Sequence, residues 1–186
     1  MEVVKTYGRM EAVEIHWDES AVFTSQNALW MRKYIKIKII GIGNLLLMDE
    51  GIGIHAVNEL MKYKLPENIE IFDGGTGGFK LIELMYEADR VIFIDAVDNG
   101  KKPGAIISFK GDAIYSSYRK IRYSLHETDL LEVIKMATLL DNLPEIRIIG
   151  IQPKTVKYGT ELSRELKNAI PEIVKKVFNE IGNCSV

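Results

Sequence analysis

Residues 91–97 read VIFIDAV, a run of apolar side chains broken only by Asp95. A nearly continuous apolar run of this length predicts a strand that is buried on both of its faces. Such strands lie in the middle of parallel sheets that carry helices on either side. This stretch therefore favours an α/β fold, and it places a carboxylate at the end of a central strand.

The segments on either side of VIFIDAV repeat a strand–turn–helix pattern. Further strands are predicted at IKIKIIGIG (35–43), IEIFD (69–73), AIISFK (105–110) and IRIIGI (146–151), and helices at about 52–63, 79–87, 128–140 and 160–182. This alternation predicts a three-layer α/β sandwich, with a twisted, mostly parallel (mixed) five-stranded sheet and helices on both faces.

Two segments depart from the simple repeat. The connection from VIFIDAV to AIISFK is too short for a crossover helix, so AIISFK is predicted to be antiparallel to its predecessor or at the sheet edge. Pro171 lies inside the last predicted helix. It either kinks one helix or starts a second.

The length of 186 residues suits one domain. We interpret residues 35–186 as a single α/β domain. Residues 1–34 contain short β-like pieces without a matching helix, and we interpret them as an N-terminal extension. The extension is either an artefact of start-codon assignment or an ordered hairpin, and we expect it to be dispensable for function.

Composition excludes several classes of function. The formal net charge is −2, with 24 basic and 26 acidic residues, so the chain has no global basic surface for nucleic acid. No stretch reaches the length of a membrane helix, and the N-terminus lacks the apolar core of a secretory signal. The lone Cys184 fits a reducing compartment. We therefore expect a cytoplasmic protein without nucleic-acid or membrane partners; its oligomeric state stays open.

Three carboxylates follow predicted strands, where ligands bind in open α/β sheets. Asp73 and Asp95 end strands, and Glu50 precedes the first helix. Each has an ordinary interpretation taken alone: Asp73 and Asp95 as turn residues, and Asp49 and Glu50 as an acidic first turn that complements the helix dipole. Together they indicate a shared site.

His126 lies beside a capping-box pattern formed by Ser124 and Glu127. A histidine in the first turn of a helix is held neutral by the helix dipole, and a neutral imidazole is the form that binds metal. The alternative is a polar surface residue, and spacing does not decide between them. Two or three acids with one imidazole suggest a divalent metal site with open positions.

Other chemistries find little support in the sequence. The glycines at 41–43, 51–53 and 74–78 match neither a dinucleotide fingerprint at a strand end nor a phosphate loop, so no nucleotide cofactor is expected. No serine lies in a G-x-S-x-G elbow, and no H-E-x-x-H helix is present.

Five blocks of the chain resemble, in order, the nickel–iron hydrogenase maturation endopeptidases. They are GIGNLLLMDEGIGIHAVNEL, DGGTGGFKL, VIFIDAVDNGKKPG, SLHETDLLEV and IRIIGIQP. The resemblance spans about residues 35–181. It implies a twisted, mixed five-stranded sheet between helices. It also implies an enzyme that removes the C-terminal extension of the hydrogenase large-subunit precursor after nickel insertion.

The same resemblance implies roles for individual residues. Glu50, Asp95 and His126 correspond to the family's metal-contacting residues, and Asp73 belongs to a block that supports the site or recognises substrate. Nickel would be supplied by the substrate, and other divalent cations are expected to fit the same ligands.

Three hypotheses follow from these observations. The first is a nickel-gated endopeptidase in which Glu50, Asp95, His126 and Asp73 carry catalysis. The second is a non-catalytic metal- or precursor-binding chaperone of hydrogenase assembly, which the same ligands would serve. The third, ranked last, is a nucleotide-binding α/β protein.

Overall fold

The structure is a computed structural model, and it describes residues 35–110, 122–123, 130–139 and 143–182. The strands are β1 (Ile37–Gly41), β2 (Ile69–Asp73), β3 (Arg90–Asp98), β4 (Ile106–Lys110), β5 (Arg122–Tyr123) and β6 (Glu145–Ile151). The helices are α1 (Ile52–Leu60), α2 (Lys80–Met85), α3 (Leu130–Thr138) and α4 (Arg164–Gly182), and a one-turn 3-10 helix spans Met48–Gly51. The proposed extension, residues 1–34, lies outside these ranges.

The sheet has the order β2-β1-β3-β6-β4. The first four strands of this order are parallel, and β4 pairs antiparallel with β6 at one edge. The short β5 adds a two-residue antiparallel pairing with the end of β3. The predicted α/β class, the mixed sheet of five main strands and the edge position of β4 are confirmed.

Two apolar cores cover the two faces of this sheet, because successive strand residues point to opposite sides. On one face, Ile92 and Ile94 of β3 pack with α1 and α4. On the other face, Val91 and Phe93 pack with α2 and α3. Each fully buried side chain of this size contributes about 1.5–3 kcal/mol to folding. The predicted three-layer arrangement is confirmed.

Helices α1, α2 and α4 are shorter than their sequence patterns predict; α2 spans Lys80–Met85 and not residues 79–87. Helix α1 ends at Leu60 and not at Tyr63, since Met61 and Tyr63 are exposed and contribute no apolar face to the core. Helix α4 begins at Arg164 and not at Thr160, because the preceding residues belong to a loop. Pro171 lies inside α4, which continues as one helix to Gly182. None of the helices in the described ranges combines the length and apolar character that crossing a bilayer requires.

The amino-terminal edge of the parallel strands carries a network of charged side chains. Glu180 of α4 is 5% exposed and accepts hydrogen bonds from Ser108 and Lys176, each at 2.8 Å. Arg90, 4% exposed at the start of β3, donates to the Glu180 carbonyl and pairs with Glu145. This network ties α4 to the edge of the sheet opposite the strand ends where Asp73 and Asp95 lie.

Candidate active site

Glu50 lies in the 3-10 helix that joins β1 to α1, and its side chain is buried. The turn after β1 passes very close to the Glu50 backbone: a Cβ added to Gly43, at φ +153°, would lie 2.1 Å from the Glu50 carbonyl oxygen. Only glycine permits that approach and that backbone conformation together. The local sequence thus folds Glu50 back over the end of β1.

Asp95 lies in β3, one residue beyond the register of β1, and is 2% exposed. Its Oδ1 accepts a hydrogen bond from the Ala96 backbone N–H at 2.7 Å. By strand alternation it belongs to the sheet face covered by α2 and α3, opposite Gly150 of β6. The carboxylate therefore sits in the middle of the sheet, at its carboxyl end.

Backbone contacts bring the Glu50 and Asp95 segments together. Ile42, which follows β1, donates its N–H to the Ile94 carbonyl at 2.8 Å. The 3-10 helix lies against β3. The short helix that carries Glu50 thus lies beside the strand that carries Asp95, and the side chains of both residues are buried.

Asp73 occupies the same edge but in a different environment. It ends β2 in register with Gly41, is exposed, and accepts the Gly75 N–H on its Oδ1 at 2.8 Å. This is the turn interaction expected of an aspartate at a strand end. Because β1 separates β2 from β3, the backbones at Asp73 and β3 are about 10 Å apart. Asp73 does not share the buried position of Glu50 and Asp95.

The glycine-rich loop after Asp73 is bonded to the turn that leads to Glu50. Gly74 donates its N–H to the Gly41 carbonyl, and Gly43 donates its N–H to the Gly75 carbonyl, each at 2.8 Å. A Cβ at Gly75 would meet nothing within 4 Å, so one side of this loop is open.

His126 lies outside the described residues. On its amino-terminal side, Tyr123 pairs with Val97, two residues beyond Asp95. On its carboxyl-terminal side, Leu130 begins α3 and is buried in the core that this helix forms with the sheet. Within the described ranges, no three His, Cys, Asp or Glu residues form a group suited to a metal.

Asp49 is a residue whose position the sequence patterns did not predict. It is 0% exposed, and its carboxylate accepts three backbone N–H groups: those of Lys154 and Thr155 at 3.0 Å and that of Ser163 at 2.6 Å. The ordinary interpretation as an acid in the first turn of a helix holds for the 3-10 helix and not for α1, which Asp49 precedes; its carboxylate bonds to a distant loop. No local pattern signals these partners.

His55 faces a different part of the molecule. It lies on α1, beside Lys167 of α4, and no hydrogen-bond partner of its buried Nε2 is found in the part of the chain that the structure describes. Burial first, and then the charge of Lys167, lowers the pKa of His55 below its usual value. Helix α1 lies on the sheet face opposite the one to which Asp95 belongs.

The two buried carboxylates are suited to binding a cation. Carboxylate oxygens are ligands of divalent metals. A divalent cation contacted by both Glu50 and Asp95 would gain two oxygen ligands. Imidazole from a third position would complete a three-ligand set with open coordination sites.

The chain was compared with known proteins. Residues 54–180 match the family model described as hydrogenase maturation protease; this range includes Asp73, Asp95 and His126 and begins after Glu50. The hydrogenase expression/formation protein HupD of Bradyrhizobium diazoefficiens is 38% identical over 73% of this chain and 72% of its own. HupD of Rhizobium leguminosarum is 36% identical over 81% of this chain and 76% of its own.

A solved structure shares the fold. The hydrogenase maturating endopeptidase HybD from Escherichia coli superposes with a TM-score of 0.72 at 27% identity, over 79% of this chain and 92% of that one.

Proposed function

The chain belongs to the hydrogenase maturation protease family, and we propose from this that it is an endopeptidase acting on a nickel–iron hydrogenase large-subunit precursor. In this proposal it removes the C-terminal extension of the precursor after nickel has been inserted. The observation that carries the proposal is the pair of buried carboxylates, Glu50 and Asp95, at the carboxyl edge of β1 and β3.

Nickel in this proposal belongs to the substrate. Glu50, Asp95 and His126 add oxygen and nitrogen ligands to the metal that the precursor already holds through its own thiolates. A precursor without nickel loses these contacts and binds too weakly to be cut. Other divalent cations are expected to fit the same ligands.

The residues that precede position 126 in the chain support the proposal that His126 is one of the metal ligands. His126 lies three positions after Tyr123, which pairs with Val97, two residues beyond Asp95. This short connection supports the proposal that a side chain at position 126 shares an ion with Asp95.

The hydrolytic step has two routes that fit the carboxylates. The metal polarises the scissile carbonyl or a water molecule, or a carboxylate acts as general base. Asp73 is suited to the second role because it is exposed at the strand edge and borders the open glycine loop. In the metal-assisted route, Glu50 and Asp95 hold the metal and Asp73 supports the substrate peptide.

Exposed apolar residues near Glu50 support a protein substrate. Leu46 is 62% exposed and Tyr158 is 91% exposed. Their segments are joined, since Gly159 donates its N–H to the Leu46 carbonyl at 2.9 Å and Met48 donates to the Gly159 carbonyl at 2.8 Å. Large exposed apolar side chains beside a functional site are typical of surfaces that bind another protein. We propose that these two residues contact the precursor.

A cleavage assay tests the proposal and its alternative. The purified chain is incubated with nickel-loaded and with nickel-free precursor, and the mass of each precursor is measured. Loss of the C-terminal extension from the nickel-loaded precursor alone is expected. If the nickel-loaded precursor binds and keeps its full mass, the chaperone function replaces the endopeptidase; if both precursors are cut equally, nickel is not the recognition element.

A further inference from the structure

The Asp49 carboxylate joins two segments far apart in the chain. It lies in the 3-10 helix, next to Glu50, and holds the loop that runs from β6 to α4 through the amides of Lys154, Thr155 and Ser163. The partners are 105 to 114 residues away in sequence. The Asp49 side chain alone thus contributes three hydrogen bonds between this helix and the loop.

Backbone contacts extend the attachment along the 3-10 helix. Met48 donates its N–H to the Gly159 carbonyl at 2.8 Å, and Asp49 donates its own N–H to the Thr155 carbonyl at 3.4 Å. The loop therefore holds the helix on its amino-terminal side. On the other side Glu50 abuts Gly43 of the turn after β1. The segment that carries Glu50 is held between two loops.

Direct contact of Asp49 with a substrate is excluded by its burial. The residue is 0% exposed, and both of its oxygens already accept backbone N–H groups. Its neighbour Glu50 shares the same short helix, so a shift of Asp49 shifts Glu50 as well. Small displacements of catalytic groups lower rates strongly, by about 100-fold for 1 Å.

We propose that Asp49 is a positioning residue: by holding the 154–163 loop, it fixes the 3-10 helix so that the Glu50 carboxylate meets the substrate. This inference rests on the proposed function, because it assigns Glu50 to that site. The acceptor geometry requires a carboxylate. An asparagine has one acceptor oxygen, and its NH₂ group would face a backbone N–H donor.

The test compares two substitutions that make the same chemical change at buried carboxylates. Asp49→Asn removes the attachment of the 3-10 helix. Glu180→Gln is the matched control, since Glu180 is 5% exposed, accepts two hydrogen bonds on Oε1, pairs with Arg147 through Oε2 at 3.8 Å, and lies at the opposite edge of the sheet. Both are made in the full chain, and cleavage of nickel-loaded precursor is divided by the folded fraction measured by circular dichroism.

Amide hydrogen exchange of residues 48–51 provides a readout independent of cleavage. For Asp49→Asn we expect exchange there to rise about tenfold or more, and cleavage per folded molecule to fall about 10- to 100-fold. Glu180→Gln is expected to leave both at the wild-type level. If Asp49→Asn does not accumulate as folded protein, Asp49→Ser, which keeps one acceptor oxygen, is used instead.

The outcomes separate this inference from the proposed function. Wild-type cleavage per folded molecule in the Asp49 variant overturns the positioning role, as does an equal loss in the Glu180 control. If the wild-type chain itself cuts no precursor, the proposed function fails. Exchange then decides only whether Asp49 holds the 3-10 helix: unchanged exchange at residues 48–51 overturns that attachment, and a rise confined to the Asp49 variant upholds it.

Discussion

Gly53, in the first turn of α1, lies against the carbonyl oxygen of Ile94 in β3: an added Cβ would be 2.2 Å from that oxygen. The same Cβ would lie 2.2 Å from the Ile42 carbonyl oxygen. The start of α1 therefore rests directly on the carboxyl ends of β1 and β3. This close packing, and not a cofactor, explains the glycine at this position, and it holds the Glu50 segment next to the strand that carries Asp95.

Gly53→Ala is expected to push α1 away from the sheet and to destabilise the fold by about 1–3 kcal/mol, because the added methyl has no space beside backbone atoms. Urea unfolding measures the change. Gly182→Ala is the control, since a Cβ at the end of α4 meets nothing within 4 Å. Equal stability of both variants would contradict the packing described above.

Glu50→Gln, Asp95→Asn and His126→Ala each remove one proposed ligand. We expect each to lower cleavage of nickel-loaded precursor by about 100-fold or more, because even outer partners of metal ligands commonly contribute 10- to 100-fold. Precursor mass over time measures the rate, and circular dichroism confirms folding. Near-wild-type cleavage by any of the three folded variants would remove that residue from the proposed ligand set.

Leu46→Ser and Tyr158→Ser test the proposed contact with the precursor. Both side chains are exposed, so stability should change little, while the KM for precursor should rise by about tenfold with a smaller change in kcat. Leu139→Ser is the control, because Leu139 is 82% exposed but follows α3, at the end opposite the His126 side of that helix. A KM rise of the same size in the control would argue against a specific surface.

The Glu180 network predicts a loss of stability in acid. Burial would raise the pKa of Glu180, but the hydrogen bonds from Lys176 and Ser108 and the charges of Lys176 and Arg147 outweigh it and lower the pKa. The unfolded carboxyl titrates near about 4.3. The stabilisation is therefore present above that pH and is lost as pH falls through the lower folded-state pKa.

Urea midpoints of the wild type and Glu180→Gln, measured between pH 7 and pH 3, check this prediction. The wild type should be the more stable at pH 7, and the difference should shrink towards pH 3. A difference that stays constant across the range would show that Glu180 does not carry this pH dependence.

His55 predicts a second pH dependence of stability, in a higher pH range than that of Glu180. Its pKa is lowered by burial first and then by Lys167, so the folded state stays neutral where the unfolded imidazole, titrating near about 6.5, already binds a proton. Stability should therefore fall as pH drops from about 6.5 towards the folded-state pKa. A nuclear magnetic resonance titration measures that pKa directly. Lys167→Gln should move it upward, and an unchanged value would exclude the Lys167 contribution.

Local patterns predicted most of the fold because strands and helices are encoded by short-range periodicity. VIFIDAV was predicted as a strand buried on both faces, and β3 lies at the centre of the sheet with both faces covered. The resemblance of five blocks to the hydrogenase maturation proteases is likewise confirmed by the comparisons. Helix ends were less predictable, since exposure of Met61 and Tyr63 depends on the rest of the fold.

The candidate site, like the fold, was predicted from the sequence only in part. Acids at strand ends could be recognised from their place in the sequence, because parallel strands deliver their carboxyl ends to one edge. The sequence also named His126, whose contribution stays a prediction. Which acids are buried, and what holds them, was decided by contacts between distant segments. Asp49 and Glu50 are adjacent and chemically similar. The packing of the 154–163 loop against their helix makes Asp49 the residue that holds the loop and leaves Glu50 as the proposed metal ligand. Hydrogen bonds between residues more than 100 positions apart leave no local pattern in the sequence.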